Sequence, residues 1–156
     1  MVSLIAHLAS EVTRRAIWVK RYSLTLVILL ALDALWLGVI APSFYQAQIG
    51  FLMAASPNWS AAGAFYLLFV AGLVVFVISP GIEAGTPSRA AWRGAFFGLI
   101  AYATYDLTNL ATLERWPLLL TVVDMAWGAS LCAATALLGV WAGRKLETGG
   151  RSVLRG

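Results

Sequence analysis

The chain has 156 residues, of which 61% belong to the set AVILMFWYC and only 12% are Asp, Glu, Lys or Arg. A soluble domain carries roughly 45–50% apolar and about 25% charged residues, and a chain this short has too little interior to hide the excess. Those proportions exclude an ordinary soluble domain and a disordered chain, and the single cysteine, Cys132, excludes a disulfide scaffold. The formal net charge of +4 would suit a nucleic-acid binder, but the basic residues sit where they report membrane topology instead.

In chain order, residues 1–21 form a basic N-terminal segment in which Leu4 to Val19 has the pattern of an amphipathic helix lying on the inner membrane surface. A cleaved signal peptide is not expected, because the first apolar run begins only near residue 22, is too long, and contains Asp33. A spanning helix needs about 20 mostly apolar residues. Four segments qualify, at about 22–41 (ending at Pro42), 61–79 (ending at Pro80-Gly81), 92–113 and 117–141. None alternates with the period of two that a barrel strand requires. The loop 42–60 between the first two spans is aromatic and uncharged, with Phe44, Tyr45, Phe51 and Trp59, and is expected to fold back onto the membrane surface. Residues 143–156 read as a flexible polar tail. The fold class is therefore all-α, a polytopic membrane protein built as a four-helix transmembrane bundle over residues 22–142.

Arg14, Arg15, Lys20, Arg21, Arg89, Arg93, Arg144, Lys145, Arg151 and Arg155 lie on one side of that arrangement, ten of the eleven basic residues, and only Arg115 on the other. The positive-inside rule then places both termini on the cytoplasmic side of the membrane. Trp18, Trp92 and Trp141 fall at the inner boundary and Trp59 and Trp116 at the outer one, as an aromatic belt would. Trp36 and Trp127 fall inside spans.

Asp33, Asp106 and Asp124 each sit within a span. An aspartate near the bilayer centre opposes insertion by about 2.5–3.5 kcal/mol, so three of them are functional candidates. Counting from the span ends puts all three roughly 10–12 Å below the outer boundary. Tyr102, Tyr105, Asp106 and Asn109 share one face of the third span, with Thr104 and Thr108 as an adjoining strip. Thr121, Asp124 and Gly128 share a face of the fourth, with Trp127 beside them, and Asp33 has Trp36 and Leu37 on its side of the first. The second span offers only Tyr66 and otherwise reads as wall. The inferred ligand pocket lies between spans one, three and four and comprises Asp33, Trp36, Tyr102, Tyr105, Asp106, Asn109, Thr121, Asp124 and Trp127. Such carboxyls cannot all be charged together; the cluster is expected to share protons, with Tyr102, Tyr105 and Asn109 donating to whichever stays ionised. The bland alternative is that the polar residues only bond helices to one another.

Other features are weaker. Ala90, Gly94 and Gly98 form a small-residue row suited to close helix contact, within the chain or in a homodimer. Asp33-x-x-Trp36 and Asp124-x-x-Trp127 repeat a pattern on spans of opposite direction. His7 stands alone, and Cys132 reads as a packing residue. No phosphate loop, dinucleotide fingerprint, metal spacing or nucleophile elbow is present, so neither a cofactor nor a metal is expected.

Leu32-Asp33-Ala34-Leu35-Trp36-Leu37-Gly38 resembles the first-span signature of a bacterial inner-membrane family catalogued as domain of unknown function 2177. Pro57-Asn58-Trp59, the run from Tyr102 to Leu113, Trp116-Pro117 and Asp124-Met125-Ala126-Trp127-Gly128 resemble its remaining motifs. The resemblance covers about residues 22–142 and implies a four-span membrane protein; it supplies no activity. The first twenty or so residues, His7 included, are longer than the family shows.

Three functions compete. The first is binding of a small ligand, with proton-coupled transport as its extension. The second is a membrane enzyme using Asp106 and Asp124 as acid and base on a lipid or isoprenoid-like substrate. The third is an accessory subunit whose basic ends bind membrane lipids or a partner complex. The expected partners are membrane lipids and a second copy of the chain through the Gly94/Gly98 face, with no nucleic acid.

Overall fold

A computed structural model describes residues 2–153, and these are helical apart from short connections. The helices are α1 (Val2–Val39), α2 (Ala41–Ile49), α3 (Trp59–Leu73), α4 (Ser79–Ala84), α5 (Pro87–Thr112) and α6 (Leu118–Val153). A π-helical turn, Val74–Ile78, joins α3 to α4 without a break. Three helical stretches are long and apolar enough to cross a membrane: Ser10–Val39, Trp59–Ala84 and Leu118–Glu147. The 26-residue α5 is long enough, about 39 Å, but its arginines, tyrosines, Asp106 and Asn109 dilute its hydropathy.

Two contacts define the ends of the bundle. At one end Arg21 of α1 pairs with Glu83 of α4 and Glu147 of α6, each at 3.0 Å. At the other, Tyr45 of α2 bonds Asp124 near the start of α6. Because α5 begins just after α4 and ends just before α6, it runs from the first end to the second, and it packs most extensively on α6.

Several boundaries differ from expectation for physical reasons. α1 is one uninterrupted 38-residue helix, so the N-terminal segment continues the span rather than forming a separate surface helix. Residues 79–81 do not end the second span. Pro80 lacks an N–H and its ring would clash with a regular turn. The π turn before it absorbs both, with the Ser79 N–H reaching the Val74 carbonyl. Gly81 lets the continued helix approach closely, since a Cβ there would stand 2.7 Å from Val140 and 2.8 Å from Ala90. The chain then turns at Gly85, whose φ of 65° favours glycine, and Arg144 donates to its carbonyl at 2.8 Å. α6 continues through residues 143–153, where a polar tail was expected; the side chain of Arg151 and all of Arg155 lie outside the described residues. At the start of α3, Asn58 caps the helix by accepting from the Ala61 N–H at 3.1 Å.

The apolar core occupies the half of the bundle toward Arg21. Val70, Leu73, Val74, Ile78, Leu131, Ala136 and Val140 are fully or almost fully buried there. Large apolar side chains such as Leu68, Phe76, Phe96, Ile100 and Val122 stand exposed around the outside, as lipid-facing residues do and as a soluble monomer rarely tolerates. Trp18, Trp59, Trp92 and Trp141 are exposed too, consistent with a belt. Trp116 is not: it is buried and donates its indole N–H to Thr121 at 3.1 Å.

Candidate functional site

The polar residues gather in the opposite half. Asp33 lies six residues before the end of α1, Asp106 six before the end of α5, and Asp124 six after the start of α6. At 1.5 Å per residue that is about 9 Å below each helix end, so the three carboxyls share one level. All three are buried. Asp124 is an electrostatic neighbour of both Asp33 and Asp106, and no ion pair reaches any of them among the described residues.

Their partners differ. Asp33 accepts from Tyr66 of α3 at 2.5 Å and from the Trp127 indole of α6 at 3.2 Å, so it bonds three helices together. Asp124 accepts through Oδ1 from the Tyr45 hydroxyl. Burial first, and then that carboxylate, push the Tyr45 phenol above its ordinary range and keep it a proton donor. Asp106 is fully buried and neither of its oxygens has a hydrogen-bond partner; the indole N–H of Trp36 has none either. Trp36 and Trp127 stack with ring centres 4.5 Å apart and planes 12° from parallel. The repeated Asp-x-x-Trp fragments therefore meet face to face, and one of the indoles bonds the other fragment's carboxylate.

Beside this cluster lies a cavity of about 450 Å³ between α3 and α5. Phe65 and Phe69 form one wall, Ala101, Tyr102 and Tyr105 the other, with Tyr45 and Asp124 completing it. Tyr102 is held in place because α6 carries Gly128 opposite it: a Cβ there would meet the Tyr102 ring at 2.2 Å. Tyr105 packs edge-on against Trp116 with centres 5.5 Å apart.

The pocket is therefore displaced from the expected one. Tyr102, Tyr105 and Asp124 line it. The second span, expected to be plain wall, supplies Phe65 and Phe69, and the loop expected to lie on the surface supplies Tyr45. Asp33, Trp36, Asp106 and Trp127 form a polar layer outside the lining. The donors to the carboxylates are Tyr45, Tyr66 and Trp127 rather than Tyr102, Tyr105 and Asn109. Asn109 is half-buried beside Tyr105. Thr121 is engaged by Trp116 and by the Pro117 carbonyl and steadies the start of α6. Thr104, Thr108 and Thr112 are exposed and bond carbonyls of their own helix, which satisfies them without a ligand.

The small-residue row is used within the chain. A Cβ on Gly94 would meet the Cys132 carbonyl oxygen at 2.4 Å, and one on Gly98 the Gly128 carbonyl oxygen at 2.1 Å. That face of α5 is covered by α6 and is not free for a second copy. Cys132 is fully buried in this contact, as a packing residue. Among the described residues no group of three or more His, Cys, Asp or Glu side chains is placed to hold a metal ion.

A family model described as "Predicted membrane protein (DUF2177)" matches residues 18–141. No curated protein matches the chain, and no solved structure does.

Proposed function

The chain belongs to the membrane-protein family DUF2177, and we propose that it binds a small organic ligand in the cavity between α3 and α5, with proton exchange at Asp106 and Asp124 coupling that binding to transport. The observation that carries this reading is the cavity itself. Its volume of about 450 Å³ falls in the range of small-molecule sites, and its wall is apolar with one carboxyl group among a few polar atoms. Asp106, buried beside Asp124 with no hydrogen-bond partner on either oxygen, is where this reading places the exchanged proton. In this reading α5 is the fourth crossing, since it links the two ends of the bundle. Ten of the eleven basic residues on one side support cytoplasmic termini, the family resemblance supports a bacterial inner membrane, and in that topology the cavity lies in the outer half.

The test uses a substitution that fills the cavity and removes no polar group. Native mass spectrometry of the gently solubilised protein should show a small-molecule adduct on the wild type and none on Ala101→Phe. An adduct indifferent to Ala101→Phe would place the ligand elsewhere. For the coupled step, adding the extracted ligand outside ligand-free proteoliposomes should change their internal pH, and Asp106→Asn should abolish the change.

The Tyr45–Asp124 pair supports a second reading, a membrane enzyme using that pair as acid and base on a lipophilic substrate. A deletion strain with an unchanged lipid and isoprenoid profile would count against it.

A further inference from the structure

The walls of the cavity say more about the occupant than its volume does. Five of the residues facing it are aromatic: Tyr45, Phe65, Phe69, Tyr102 and Tyr105. The faces of such rings carry negative potential and attract a cation while offering nothing to an anion. The one carboxylic acid in the lining is Asp124, and no Lys, Arg or His is among the lining residues. Tyr45 occupies Oδ1 of Asp124 with a neutral hydroxyl, so no cationic side chain pairs with that carboxyl, and Oδ2 receives no hydrogen bond among the described residues. Behind it stand Asp33 and Asp106, also without ion pairs.

Inorganic cations fit poorly. A hard cation wants six or more oxygen ligands, and this wall is mostly carbon. An anion would meet ring faces and a carboxylate. Phe65 and Tyr105 at the cavity wall are 48% and 56% exposed, so the site opens outward between two helices rather than being sealed.

We propose that the cavity is a site for an organic monocation, an amine or quaternary ammonium carrying an apolar body, whose charge is met by Asp124 and whose body is enclosed by Tyr45, Phe65, Phe69, Tyr102 and Tyr105. This assignment rests on the reading of the cavity as a ligand site and names its ligand class. Entry from the membrane interface follows, because cationic amphiphiles concentrate there and the opening lies between helices.

The experiment titrates the full chain in nanodiscs with three probes of similar shape: benzyltrimethylammonium, its neutral carbon isostere neopentylbenzene, and the anion benzenesulfonate. Benzyltrimethylammonium should bind saturably, at least about tenfold more tightly than the isostere, with no saturable binding of the anion. Asp124→Asn should remove the preference for the cation, Asp124→Glu should retain it, and Ala101→Phe should remove binding of cation and isostere alike. If the isostere binds as tightly as the cation and remains sensitive to Ala101→Phe, the monocation assignment is overturned while the cavity survives as a ligand site. If none of the probes binds in an Ala101-sensitive way, the assignment and the ligand-site reading fall together. Asp124→Glu separates loss of charge from misfolding, because a folding defect at that position would remove the preference in both variants.

Discussion

Asp33, Asp106 and Asp124 are the same residue type at the same depth, yet their surroundings assign them different work. Asp33 accepts two hydrogen bonds from two other helices. An asparagine there keeps only one acceptor oxygen, so either the Trp127 indole N–H or the Tyr66 hydroxyl proton loses its acceptor and faces an NH2 group. Asp33→Asn should therefore lower stability by about 1–3 kcal/mol, read as a lower melting temperature of the purified protein. Asp106 makes no such bonds. Removing a buried acid that supports nothing should leave the melting temperature unchanged or raise it, so Asp106→Asn separates function from folding. Tyr45→Phe removes the donor to Asp124 and should weaken ligand binding more than stability, since α2 is short and half-exposed.

At the scale of elements, the contact between α5 and α6 depends on glycine. Gly98→Ala would push a Cβ to 2.1 Å from the Gly128 carbonyl oxygen, and backbone cannot step aside as a side chain can. The expected cost is roughly 1–3 kcal/mol, measured by thermal or denaturant unfolding in detergent. Gly63→Ala, with nothing within 4 Å of the added carbon, is the matched control and should be neutral or stabilising by up to about 1 kcal/mol. The end of the bundle opposite Tyr45 is held by Arg21 between Glu83 and Glu147, with only 11% of the Arg21 side chain exposed. Arg21→Ala leaves two acids facing each other, and a loss of roughly 1–3 kcal/mol follows, between the values for exposed and buried pairs.

How much of this was legible in the sequence depends on the kind of information each residue carries. The helices, the aspartates and their common depth were legible, because hydropathy and the 1.5 Å rise are properties of the chain alone. The covered Gly94/Gly98 face, the stack of Trp36 on Trp127 and the role of Tyr45 were not, because each depends on which helix lies opposite. Tyr66 carried a usable signal: it is the one polar side chain near the level of Asp33 on the second span, and it bonds Asp33. Tyr45 carried little, sitting in an uncharged aromatic loop that resembles a surface segment. Pro80 pointed the wrong way, since a π turn let the helix pass a residue that ordinarily ends one.

For the whole molecule, the division of labour runs along the bundle axis. The half near Arg21 is apolar and close-packed; the half near Tyr45 holds the acids and the cavity. With α5 as a crossing, Ser88→Cys and Glu114→Cys should label from opposite sides of the membrane in a Cys132→Ala background, and labelling of both from one side would remove α5 from the spanning set. The most direct test of the account is a density map of the protein taken from its own membranes without added ligand. Non-protein density should appear between Phe69 and Tyr102, in contact with Asp124. A cavity closed by the side chains around it, or filled by an acyl chain with no contact to Asp124, would contradict it.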